Sequence, residues 1–291
     1  MPSDVIQWFP GHMAKTRRLM QECLSSVDLT IQILDARIPA SSKNPEIERL
    51  LGKKPILTLL SKAAMADPQK TELWVAASRT AGALSIPYDA ISGEGMQALM
   101  PAINSLLSEK IARYAAKGMT GRRIRAMVVG IPNVGKSTFI NHMAGSKKAK
   151  AENRPGVTVN KQWVSSPVGL DLLDMPGVLW PKFDDRKTGE NLAITGAIKD
   201  SVLNIDEIAM LLCGRLRDEY PALFAERYKL TEDELHDLDL YDLFLAVGRH
   251  RGFLMSGGVV DEDRTAKTLL EEFRNAKIGR ITLETPKGAS L

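Results

Sequence analysis

The stretch Gly130-Ile131-Pro132-Asn133-Val134-Gly135-Lys136-Ser137-Thr138 constrains this chain more than any other. An apolar run, Ala126-Met127-Val128-Val129, leads into it, and Phe139-Ile140-Asn141-His142-Met143 follows with helical character. A strand, a glycine-bearing turn and a helix start are the setting that a phosphate-binding P-loop requires. Consecutive backbone N–H groups at a helix N-terminus curl around anionic phosphates, and the helix dipole favours negative charge there. Asn133, Val134, Gly135 and Thr138 belong to that cradle. Lys136 would reach the β- and γ-phosphates, and the Ser137 hydroxyl would ligate Mg²⁺. The ligand implied is a nucleoside triphosphate.

A second signature follows at Leu170-Asp171-Leu172-Leu173-Asp174-Met175-Pro176-Gly177. A carboxylate at a strand end, Asp174, would hold Mg²⁺ directly or through water, and the backbone of Gly177 would face the γ-phosphate. Between the two signatures, Pro155-Gly156-Val157-Thr158 reads as a loop, with Thr158 a third oxygen donor for the metal. Earlier in the chain, residues 29–35, 55–60 and 84–91 read as strands, and residues 44–51 and 96–114 as helices. From about Phe183 helical periodicity takes over, over residues 192–198, 205–217, 231–235, 241–248 and 265–274, with helix starts at Thr231 and Asp263. The expectation is an α/β nucleotide domain with a mainly parallel sheet over residues 1–182, and a smaller helical domain over 183–291 with a binding role.

The motif order is informative. A switch-type GTPase needs a base-reading Asn-Lys-x-Asp and a later Ser-Ala-type loop after the Asp-x-x-Gly glycine. Neither follows Gly177, but Ser61-Lys62 and Ser92-Gly93 precede the P-loop as plausible counterparts. The sheet therefore reads as complete but circularly permuted, which is tolerated because domain termini lie at the surface, often close together.

Other residues are less specific. The run Lys110, Arg113, Lys117, Arg122, Arg123 and Arg125 is either a solvated basic face or a contact for nucleic-acid phosphate. Asp35 is read as a cap or an ion-pair partner of Arg37, and His12 as a structural or solvent-facing histidine. The 44% apolar content supports a packed core, and a net charge of +4 permits an RNA partner without demanding one. Cys23 and Cys213 lie far apart in apolar segments and read as buried free thiols of a reducing compartment. With neither an apolar leader nor a membrane-length run, the expectation is a cytoplasmic protein without a membrane partner.

The chain resembles the ribosome biogenesis GTPase A family of circularly permuted GTPases. The resemblance is carried by Trp8-Phe9-Pro10-Gly11-His12-Met13, Asp35-Ala36-Arg37-Ile38-Pro39, the P-loop, Pro155-Gly156-Val157-Thr158, Asp174-Met175-Pro176-Gly177, and the tail from Gly257-Gly258 through Lys277-Ile278-Gly279. It implies GTP hydrolysis to GDP in late assembly of the large ribosomal subunit, stimulated by that subunit. It also implies a helical domain contacting ribosomal RNA, and no DNA partner. The family carries a hydrophobic residue where Ras-like enzymes have a water-orienting glutamine, and Val178 matches; the resemblance therefore makes His12 the catalytic candidate. Asn133 matches a P-loop asparagine associated with K⁺ stimulation. In one place the chain departs from the family: Ser61-Lys62-Ala63-Ala64 stands where Asn-Lys-x-Asp is typical, so the base-reading aspartate is missing. An NTPase of relaxed base specificity, or a nucleotide-gated RNA-binding switch, are the alternatives.

Overall fold

The computed structural model describes residues 10–119, 121–145, 162–180, 183 and 185–288, with only the backbone of residues 10–13. Strands β1 (Leu29–Asp35), β2 (Ile56–Ser61), β3 (Leu84–Pro87), β4 (Ile124–Val129), β5 (Gln162–Ser165) and β6 (Leu170–Asp174) form one sheet in the order β3-β2-β1-β4-β6-β5. Every pairing is parallel except β5 with β6. All of β1 is buried, Thr30, Gln32 and Asp35 included, as a central strand covered on both faces is.

The helices of this first unit are α1 (Pro10–Leu24), α2 (Pro45–Leu51), α3 (Pro68–Thr80), α4 (Met96–Leu106), α5 (Ser108–Ala116) and α6 (Lys136–Ala144). Met20 and Cys23 of α1 join Ile47 and Leu51 of α2 over Met127, Val129 and Leu173 of the sheet. Trp74 and Val75 of α3 pack on Leu34, Ala36 and Leu60. Each fully buried leucine or isoleucine of this kind contributes about 1.5–3 kcal/mol by leaving water. Asn44 caps α2, its side chain accepting from Glu46 N.

Several elements differ from their sequence expectation. The strand at 84–91 stops at Pro87, because the Asp89 side chain accepts from the N–H groups of Ile91 and Ser92 and curls the chain away. The helix at 96–114 is divided at Leu107, and α5 directs Lys110 and Tyr114 onto the buried Asp28 (2.7 and 3.1 Å).

The described residues divide into two units, Asp185–Leu283 and the rest. The chain therefore leaves the α/β unit after residue 184 and returns to it at Glu284, whereas the sequence reading assigns everything past 182 to the helical part. The second unit contains α7 (Arg186–Ile194), α8 (Ile205–Glu219), α9 (Pro221–Tyr228), α10 (Glu232–Asp237), α11 (Leu240–His250) and α12 (Glu262–Arg274). Helix α9 was not anticipated; it starts with a proline at its first position, directly after α8. Helix α10 opens with the expected capping box of Thr231 and Glu234, while α12 is capped by Asp261, two residues ahead of the expected start. Leu212, Cys213 and Leu216 of α8 are buried, as are Phe224, Phe244, Leu269 and Phe273. Glu272 is buried beside them and receives Arg227 Nε at 2.9 Å, Tyr228 OH at 2.8 Å and Arg251 at 2.9 Å, which compensates its desolvation. Both cysteines are buried free thiols, and burial raises the pKa of Cys213. Among the described residues no helix is long and apolar enough to cross a membrane.

Candidate nucleotide site

The P-loop leaves the C-terminal end of β4 and enters α6. Gly130 takes φ +157°, and a Cβ there would meet the carbonyl oxygen of Ile33 at 2.6 Å, so the first position tolerates no side chain. Asn133 and Gly135 have positive φ, the alternation that turns successive N–H groups inward. Lys136 is buried, and its Nζ donates to the carbonyls of Gly130 (3.0 Å) and Ile131 (2.6 Å). Burial lowers its pKa to about 8, against the opposing pull of the Asp174 carboxylate. Ser137 is half-buried at the second position of α6, and Thr138 is exposed.

Asp174 ends β6 and pairs in register with Val128 of β4, which sets the second motif beside the first. Gly177 then packs directly on the P-loop: a Cβ there would lie 2.5 Å from Lys136 Nζ and 3.0 Å from Pro132 N. Val178 behind it is buried, and its carbonyl accepts from Asn44 Nδ2 at 3.0 Å. The hydroxyl of Ser137 and the carboxylate of Asp174 are hard oxygen donors of the type Mg²⁺ takes, so this donor set fits that ion. Thr158 lies outside the described residues. His12 belongs to the first turn of α1, where only the backbone is described.

At the end of β2, Ser61 Oγ donates to the carbonyls of Val134 (2.6 Å) and Leu34 (2.9 Å), tying that strand to the P-loop. Lys62 has a left-handed backbone (φ +58°) and its Nζ lies 2.8 Å from Asp35 Oδ2. Arg37 holds the same carboxylate through Nε (2.9 Å) and a second guanidinium nitrogen (2.8 Å). Burial alone would raise the Asp35 pKa, but the charges of Arg37 and Lys62 outweigh it and hold the carboxyl well below its ordinary range. Ala63 N donates to the carbonyl of Tyr88, joining this loop to the one after β3. Ala64 is exposed and presents no polar group, and Asp67 caps α3 through Gln69 N (2.8 Å) and Lys70 N (3.1 Å). Asp67 therefore cannot stand in for the missing aspartate without uncapping a helix. Ser92 is exposed, its N–H given to Asp89 and its Oγ accepting from Glu94 N.

Three relationships escaped the sequence reading. Asn44 holds Val178; His142 of α6 lies with Nδ1 3.2 Å from the carbonyl of Ala90; and Glu284 accepts from Ala40 N (2.6 Å), Ser41 N (3.0 Å) and the Ser41 hydroxyl. Each joins segments far apart in the chain, so no local pattern announces it. The basic run is divided in use. Arg123 binds Asp171 and the carbonyls of Ser166 and Leu170, and Arg125 lies over the Trp163 ring. Lys110 and Arg113 instead join Lys53 and Lys54 around a cleft of about 590 Å³, with Asp28 and Glu109 as its acidic members.

Residues 125–238 match the sequence profile of a family described as 50S ribosome-binding GTPase. Over 97% of its length the chain is 46% identical to ribosome biogenesis GTPase A of Bacillus cereus, covering 95% of that protein. It is 47% identical to ribosome biogenesis GTPase A of Priestia megaterium, with 98% of each chain covered. The chain belongs to the ribosome biogenesis GTPase A family. It is accordingly a GTPase. More distantly, this GTPase is 31% identical to mitochondrial ribosome-associated GTPase 1 of Xenopus tropicalis, covering 97% of this chain and 95% of that one. Among solved structures it is similar to GNP-bound YlqF from T. maritima, with a TM-score of 0.64, 26% identity, and 94% and 99% of the two chains covered. A GDP-bound YlqF structure matches with a TM-score of 0.62 and 25% identity, over 93% of this chain and 100% of that one. The fold class expected from the sequence is thereby borne out.

Proposed function

We propose that this GTPase assists late assembly of the large ribosomal subunit and that the subunit stimulates its hydrolysis of GTP. The observation that carries the reading is the close packing of Gly177 on Lys136 and Pro132, which makes the segment after β6 sensitive to what the P-loop holds. In that reading Lys136 leaves the carbonyls of Gly130 and Ile131 for the β- and γ-phosphates. Ser137, Asp174 and Thr158 would hold Mg²⁺, which would neutralise charge developing on the phosphate oxygens. Asn133 would be the residue to hold a K⁺ ion, which would supply charge where other GTPases use an arginine. Val178 cannot orient a water molecule through its side chain, so His12 takes that role on the subunit. The cleft of Lys53, Lys54, Lys110 and Arg113 supplies phosphate contacts for RNA. Work on the ribosome makes the cytoplasm its compartment.

The test is hydrolysis with and without large subunits, in K⁺ and in Na⁺, with ATP in parallel. Stimulation by the subunit confined to GTP and lost in His12→Ala supports the reading. Hydrolysis indifferent to the subunit rejects it. The exposed methyl of Ala64, with Asp67 committed to α3, supports a second reading of relaxed base specificity. Equal competition by ATP and GTP would favour it.

A further inference from the structure

We propose that Glu284 is a positioning residue for GTP hydrolysis. By fixing the loop between β1 and α2, it sets where the segment behind Gly177 lies against the P-loop. The inference rests on the reading that the Gly177 backbone faces the γ-phosphate, and it needs no ribosomal partner.

Glu284 is buried, and its carboxylate accepts from Ala40 N (2.6 Å), from Ser41 N (3.0 Å) and from the Ser41 hydroxyl. Its own carbonyl accepts from Trp74 Nε1 at 3.2 Å, so side chain and main chain are held at once. A carboxylate that takes two successive backbone amides makes charge-assisted bonds, which are among the stronger ones. The loop it grips has little room to yield, because Ser41, Ser42 and Asn44 are all buried. The Ser42 amide donates to the Ile38 carbonyl (2.9 Å) and that of Lys43 to the Ala40 carbonyl (3.0 Å), while Ser42 Oγ accepts from Asp35 N at 3.0 Å. Residues 35–44 therefore move as one body.

The far end of that body is Asn44. Its Nδ2 donates to the Val178 carbonyl at 3.0 Å, one residue beyond the glycine that packs on Lys136 and Pro132. From Glu284 to the P-loop the path is then Ser41, Asn44, Val178 and Gly177, each step a hydrogen bond, a short covalent span or a direct contact. Gly177 has little freedom of position, since even an added Cβ would lie 2.5 Å from Lys136 Nζ. A sub-ångström shift of Val178 decides whether the Gly177 backbone meets a γ-phosphate, and misplacement on that scale is felt in the rate. A diphosphate has no group to place there. Glu284 therefore acts on hydrolysis and leaves GDP binding alone.

The experiment measures kcat and KM for GTP and the dissociation constant of GDP on the full chain and on Glu284→Gln, Asn44→Asp, the double variant and Trp74→Phe. GDP-binding stoichiometry counts intact sites, and thermal melting follows stability. Gln keeps the size of Glu284 but sets an amide donor against the Ala40 or Ser41 N–H. Glu284→Gln should lower kcat per intact site about fivefold to tenfold, the scale of one hydrogen bond. KM and GDP affinity should stay within about twofold of the wild type. Because both residues act through one loop, the double variant should be no slower than the slower single variant. Trp74→Phe removes the donor to the Glu284 carbonyl without touching residues 40–44, and should lower the melting temperature while leaving kcat unchanged. A purely structural role for Glu284 makes kcat track melting temperature across all the variants, and that result overturns the proposal. So do effects that multiply in the double variant. Slow turnover in Asn44→Asp with wild-type turnover in Glu284→Gln would reject Glu284 alone, whereas wild-type turnover in both would remove the Gly177 reading beneath it.

Discussion

Asn44 donates from Nδ2 to the carbonyl oxygen of Val178 at 3.0 Å, spanning 134 residues of chain, and its Oδ1 caps α2 at the same time. One side chain thus holds the segment directly behind Gly177 to the loop that follows β1. The two bonds separate cleanly by substitution. Asn44→Asp keeps the cap and loses the donor, so it should lower kcat for GTP while GDP affinity changes little. Asn44→Ala loses both and should reduce unfolding free energy by about 1–3 kcal/mol. Equal kcat in the wild type and Asn44→Asp would show that the Val178 tether has no part in turnover.

Lys136 gives a proton linkage. In the unliganded chain burial lowers its pKa to about 8, whereas an unfolded lysine titrates near 10.5. The unfolded state therefore binds more protons between those values, and this group's cost to stability, fully present below about pH 8, disappears as the pH rises toward 10.5. Bringing phosphate charge to Lys136 raises its pKa again, so nucleotide binding takes up a proton near pH 8–9. Calorimetry in buffers of different ionisation enthalpy should detect that uptake at pH 8.5, with affinity falling at higher pH. Lys136→Met should abolish the uptake; its persistence would place the proton elsewhere.

Asp35 and Arg37 are both almost fully buried and are bonded to each other. Asp35→Asn leaves the guanidinium uncompensated and should cost about 3–5 kcal/mol, while the double change with Arg37→Met should recover much of the loss. The Asp35 pKa is depressed, so its stabilisation is present above the unfolded value of 3.8 and is lost as the pH falls through the folded one. Denaturant melts of the wild type and Asp35→Asn should therefore converge in strong acid. A constant gap down to pH 2 would contradict the ion-pair account.

Glu284 brings the end of the chain back to the first unit, where its carboxylate receives three donors from Ala40 and Ser41, and its own carbonyl accepts from Trp74 Nε1 at 3.2 Å. Glu284→Ala should strip the Ala40 and Ser41 amides of their acceptor, at about 1–3 kcal/mol. Hydrogen exchange at those two amides should accelerate in the variant, and unchanged protection would mean the clasp does not form in solution.

Much of the molecule was legible because its signals are local. The P-loop announces itself through φ-demanding glycines, a lysine and a hydroxyl within nine residues. Strand β1 shows as a run rich in β-branched and aliphatic residues that ends in a carboxylate, and α2 and α10 show through Asn44 and Thr231 at their starts. Even the permutation is a matter of motif order alone. The strand end at Pro87 and the division at Leu107 were not legible, because Asp89 and Asp28 redirect the chain there through bonds that periodicity does not encode.

The sequence by itself determined the phosphate chemistry, the parallel sheet and the family, since each rests on residue types at fixed short spacings. Only the tertiary structure decided that Lys62 and Arg37 share Asp35, that Asp67 is spent on a helix cap, that His142 reaches Ala90, and that Glu284 closes on Ser41. Which carboxylates and donors remain available to a ligand depends on partners brought together by folding, and hydrogen bonds of a few ångströms between distant segments leave no periodic trace in a chain.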